Sequence, residues 1–76
     1  MKIDLNGMTK TELLNLIENN IVGRNAERDR NLLKRRWIDG ICFEPLAEEF
    51  GLSVRHVKNI VYKSKSLLLE KYTHNV

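Results

Sequence analysis

The sequence predicts an all-α fold, a small domain of four helices. Three observations carry this expectation. Apolar residues recur at three- and four-residue spacing in four separate segments, as they do on one face of a helix. No segment keeps up the apolar–polar alternation of a half-buried strand. Asparagines and glycines stand between the segments as stop signals, and Thr9, Asn25 and Ser53 stand where helices would start.

The first helix is expected over about residues 10–21. Thr9 with Glu12 three residues on is a capping-box pattern, in which each side chain bonds the other's backbone N–H. Leu13, Leu16 and Ile17 follow at helical spacing, and Asn19, Asn20 and Gly23 supply the stop. The second helix is expected over about 26–38, with Asn25 as its cap and Gly40 as its end. Its acids Glu27 and Asp29 come early and its bases late, which suits the helix dipole. The third is short, begins at Phe43 or at Pro45, and ends at Gly51. Proline disfavours helical backbone at Glu44 but is tolerated in a first turn. The fourth, capped by Ser53, is the longest, with Val54, Val57, Ile60, Val61, Leu67 and Leu68 as its apolar stripe. Ser64 and Ser66 are weak helix formers, so its far end is expected to fray or bend. The organisation expected is a flexible segment over 1–8, a single helical domain over 9–72 and a tail over 73–76.

At 76 residues the chain holds one domain at most, with a small core. Cys42 is the only cysteine, so no intramolecular disulfide forms, and a cytoplasmic location is expected. The start "MKIDLNGMTK" has no apolar run of the signal-peptide kind, and no stretch is long enough to cross a bilayer. No membrane association is expected. The net charge of +3 is modest but unevenly spread. Residues 24–36 hold six bases against Glu27 and Asp29, and residues 53–76 hold five against Glu70. Residues 37–52 between them hold four acids and no base. Two basic segments folded onto one surface would suit a polyanion.

The stretch "LAEEFGLSVRHVKNIVYK" places small residues at particular points in an apolar pattern. Two helices that cross steeply need a small side chain at the crossing, which is Ala47. The tight turn between them needs a residue at ease with positive φ, which is Gly51, and the second helix needs a cap, which is Ser53. Leu46, Phe50, Leu52, Val57 and Ile60 stand where such a pair would lock together, with Leu33 and Trp37 of the second helix joining them in the core. A helix-turn-helix is therefore expected over residues 43–65.

The run "RDRNLLKRRWIDGICFEPLAEEFGLSVRHVKNIVYKSKSLL" resembles region 4 of bacterial sigma-70-type factors and the related sigma-like and LuxR-type helix-turn-helix domains. The shared features are a charged helix ending in Arg36 and Trp37, then Gly40, the "LAEEFGLS" helix and turn, and a basic final helix. Cys42 stands where the family usually has Ser or Thr, Pro45 is unusual there, and Arg35 stands at a commonly apolar position. The resemblance implies a bacterial or phage transcription regulator whose last helix enters the major groove and whose preceding helices can dock on RNA polymerase. The chain has no room for the family's other regions, so the expectation is a stand-alone region-4-like regulator. By this carry-over Ser53, Val54, Arg55, Lys58, Asn59 and Tyr62 face double-stranded DNA.

Side-chain chemistry divides these roles. Only the major groove distinguishes all four base pairs; arginine reads guanine there and asparagine reads adenine. Arg55 near the helix start and Asn59 one turn on are the candidate base readers. Lys58, Lys63, Lys65 and Arg36 are candidate phosphate contacts, with His56 joining them or facing solvent. Most of the remaining bases of residues 24–36 are expected to be a solvated helix face. A single recognition helix buries little DNA, so RNA polymerase or a second copy of the chain is a candidate further partner. The apolar surplus of Leu13, Leu14, Leu16, Ile17 and Ile21, and of Leu67, Leu68 and Leu69, would serve either.

Catalysis is not expected. Glu48 and Glu49 are adjacent and point apart on a helix, and Cys42 and His56 lack a third, orienting residue. His56 and His74 lie in no metal-binding spacing, and no cofactor is expected. The rival reading is a protein-interaction module that binds RNA polymerase or another regulator, through Glu44, Glu48 and Glu49, without touching DNA.

Overall fold

The computed structural model describes residues 8–74, with side chains as far as Lys71. The expected flexible segment over 1–8, apart from Met8, lies outside the described residues; of the expected tail over 73–76, residues 73 and 74 continue the last helix and 75–76 lie outside the described residues. Met8 itself is half-buried against the core. Among the described residues there are four helices and no strand: α1 Lys10–Asn20, α2 Ala26–Trp37, α3 Phe43–Phe50 and α4 Val54–His74.

α1 begins with the expected capping box. The Glu12 backbone N–H donates to Thr9 Oγ1 at 3.1 Å, and the Thr9 N–H donates to Glu12 Oε1 at 3.4 Å. α2 differs at its start. Asn25 occupies the cap position but makes no side-chain hydrogen bond, because its backbone (φ −106°, ψ 23°) lacks the extended conformation that aims a cap side chain back at the first turn. The dipole argument fares better, since Glu27 and Asp29 lie in the first turn and Lys34, Arg35 and Arg36 in the last.

α3 starts at Phe43, which puts Pro45 in the first turn, where the missing N–H has no intrahelical partner to lose. It ends at Gly51, whose φ of 66° and ψ of 34° lie in the left-handed region. The Leu52 N–H reaches back to the Ala47 carbonyl at 2.9 Å and the Gly51 N–H to that of Glu48 at 3.3 Å. These two bonds are the paired closure of a Schellman turn, which glycine enters without the Cβ clash other residues suffer. Residues 51–53 then lead into α4, where the His56 N–H donates to Ser53 Oγ at 3.0 Å.

α4 runs unbroken for 21 residues, so of the expected fraying or bending the fraying does not occur at Ser64 and Ser66. Ser64 is buried on the core side, Leu68 one turn on is wholly buried, and Leu67 and Leu69 pack beside it. Packing of this apolar face outweighs the small propensity deficit of serine.

The core is built from all four helices. Ile17, Leu32, Leu33, Leu46, Val57 and Leu68 are wholly or almost wholly buried, with Leu13, Ile21, Ala47, Ile60 and Val61 around them. α4 packs against α3 and α1, and α2 packs against the same two helices. Trp37 and Phe50, expected inside, are half-buried and cover the core's edge. A domain this small has too little interior to enclose its largest rings. Ala47 keeps only 6% of its surface exposed. Ala47→Leu is expected to destabilise by about 1 kcal/mol, the low end for overpacking, because the site opens slightly to solvent. Thermal melting checks this, and an unchanged melting temperature would refute the tight packing at this position.

Candidate nucleic-acid interface

The outward face of α4 follows from its buried one. Val57, Ile60, Val61, Ser64 and Leu68 turn inward. At about 100° per residue the opposite side carries Arg55, Asn59, Tyr62 and Ser66. Lys58 and Lys65 flank it on one side, His56 and Lys63 on the other. All eight are exposed, Tyr62 by 56%. Ser53 is exposed too, and its hydroxyl oxygen is engaged as the helix cap.

Val54 departs from the expected exposed set. It is half-buried and packs on the core, because its position in the helical period lies nearer the inward side than Arg55 does. Arg36 departs as well. It is half-buried, donates from Nη1 to the Ile41 carbonyl at 3.1 Å, and stacks on the Phe43 ring with its guanidinium carbon 4.4 Å from the ring centre.

The two basic segments differ in how far their charges are already answered. On α2, Arg28 pairs with Asp29 at 3.0 Å and Lys34 pairs with Glu18 of α1. Arg35 is held between Glu49 of α3 at 2.9 Å and Asp39 at 3.0 Å. Hydrogen bonds to Glu49 and then Asp39 raise the Arg35 pKa, and the Lys34 hydrogen bond lowers that of Glu18, helped by the Lys34 and Arg30 charges. A depressed carboxylate stabilises the fold above its unfolded pKa and loses that contribution as pH falls. For an exposed pair such as Glu18 and Lys34 the effect is small. On α4, by contrast, Arg55, Lys58, Lys63 and Lys65 have no carboxylate partner among the described residues.

Two features escaped the sequence reading. The Phe43 ring meets Tyr62 edge-to-face, with centroids 6.1 Å apart and planes at 72°, and the Lys58 ammonium lies 5.6 Å from the same ring centre. Tyr62 therefore packs toward α3. The only hint was that Lys58 and Tyr62 are one turn apart, on a side of α4 that α3 had to cover. The second feature is Asp29, which lines a shallow groove with His56, Asn59 and Lys63. An acid beside candidate phosphate contacts would repel DNA, and Arg28 offsets it.

Among the described residues no group of three or more His, Cys, Asp or Glu is arranged to hold a metal ion, and no helix is long and apolar enough to cross a membrane. Comparisons with protein-family models, with curated proteins and with solved structures find no match.

Proposed function

We propose that the chain is a sequence-specific DNA-binding regulator of transcription acting in the cytoplasm, in which α3 and α4 form a helix-turn-helix and residues 53–65 read the major groove. The observation that carries this reading is the set of four cations on the exposed face of one helix that have no carboxylate partner among the described residues, beside an α2 whose cations are mostly neutralised. A surface that only needed solubility would not require them on one helix, whereas DNA supplies the missing anions as phosphates. The resemblance to sigma region 4 supports the same conclusion.

Arg55 and Asn59 lie one turn apart on this face and read bases, while Lys58, Lys63 and Lys65 hold phosphates. Exposed Tyr62 and His56 border the same face. The test is selection of bound duplexes from a random pool. Enrichment of a short common motif by the parent protein, lost in Arg55→Ala, is the expected result. Lys63→Ala is expected to weaken binding to selected and random duplexes alike and to flatten the salt dependence by about one unit of slope. Titration of both duplexes at several salt concentrations checks it.

Docking on RNA polymerase is the second reading, favoured by Glu44 and Glu48, which are exposed on α3 and have no cationic partner among the described residues. Half-buried Leu14, Leu16, Leu67 and Leu69 offer a modest apolar surface for that contact or for a weak homodimer. Sedimentation as a monomer at high concentration would remove the dimer.

A further inference from the structure

Phe43 gathers charge from two helices. The Arg36 guanidinium carbon at the end of α2 and the Lys58 ammonium on α4 lie 4.4 and 5.6 Å from the centre of its ring. The ring is itself held by the edge-to-face contact with Tyr62. Arg36 is anchored through Nη1 to the Ile41 carbonyl, and its other guanidinium donors have no acceptor among the described residues. Neither cation has a carboxylate partner there.

Two like charges brought to one ring repel each other. The negative face of an aromatic ring attracts each of them, but it does not cancel either charge. What the arrangement lacks is an anion. The first turn of α3 adds to this deficit, since Cys42 makes no side-chain cap and the N–H groups of Phe43 and Glu44 have no side-chain acceptor among the described residues.

The geometry points to a phosphate clamp. Arg36 and Lys58 hold one backbone phosphate of bound DNA at the junction of α2, α3 and α4, and Phe43 is the positioning residue that aligns them. This rests on the DNA-binding reading above and adds to it a fixed contact outside the base-reading face. A planar guanidinium and a point-charge ammonium approach the phosphodiester oxygens from different helices, so the clamp sets how deeply α4 enters the groove without reading sequence.

The test removes the ring and keeps the apolar bulk. Binding of Phe43→Leu to a mixed-sequence duplex is titrated against potassium chloride, beside a thermal melt. The expected result is a near-parental melting temperature with a salt slope shallower by about one unit, as one fewer phosphate is engaged. Phe43→Tyr restores the parental slope. Lys58→Gln is expected to weaken the parent about tenfold and Phe43→Leu much less, since the two changes remove one contact. If Phe43→Leu does not fold, Arg36→Gln, Lys58→Gln and their double variant decide the matter. A double loss clearly smaller than the product of the single losses supports the clamp, and independent losses overturn it. Should Phe43→Leu bind with the parental slope while the parent binds DNA normally, the clamp is wrong and the DNA-binding reading stands. No salt-dependent binding by the parent protein would overturn both.

Discussion

Leu46→Ala is expected to cost about 2–5 kcal/mol of stability, because it empties a wholly buried site. Leu46 lies on α3, which packs against both α2 and α4, so the loss falls at the contact that joins the two halves of the bundle. The neighbouring Leu33 and Val57 are also wholly buried and belong to helices packed on both sides, which limits how far the site can collapse. Small domains hold only about 5–15 kcal/mol in total, so a large share of the margin would go. Urea unfolding with an unchanged m-value and a lower midpoint checks the expectation. A loss below about 1 kcal/mol would mean that Leu46 is not part of a close-packed core.

For Arg55→Ala the expected loss is in recognition. On the preferred duplex it should weaken binding by about 1–3 kcal/mol, and on random DNA by much less. Arg55 is the second residue of α4 and faces away from the core, so its truncation leaves the packed side of the helix intact. With no carboxylate partner among the described residues, its charge is available to a guanine edge. Equal losses on the two duplexes would make Arg55 a phosphate contact and remove it from base reading. Asn59, exposed one turn on, then becomes the sole candidate of the pair, and Asn59→Ala measured on the same duplexes distinguishes these roles.

The features legible in the sequence are those whose partners lie within a few residues. The Thr9 and Glu12 capping box, the Ser53 cap and the left-handed Gly51 are set by contacts three to five residues apart, and each has a residue type that serves as its signal. Asn25 had the right type, but backbone angles set by the preceding turn withheld the bond. The continuity of α4 through Ser64 and Ser66 depended on packing against other helices, which local propensity does not record. The candidate interface divides in the same way. The exposed residues of α4 follow from helical period. Whether a cation is free does not, because Lys34 and Arg35 are answered by Glu18 and Glu49 on other helices, 16 and 14 residues away. The cluster around Phe43 joins three helices and could emerge only once they were packed.

Whether this face meets nucleic acid is decided by the parent protein's affinity for a selected duplex, titrated across salt concentration. Each phosphate engaged by a cation contributes about −0.9 to the slope of log affinity against log salt. With Arg36 and Lys58 on one phosphate and Lys63 and Lys65 on one each, the account predicts a straight line of slope about −3, with affinity for random duplexes lower but similarly steep. Absence of binding, or binding that does not change with salt, would contradict it and leave α3 and α4 as a surface for protein partners.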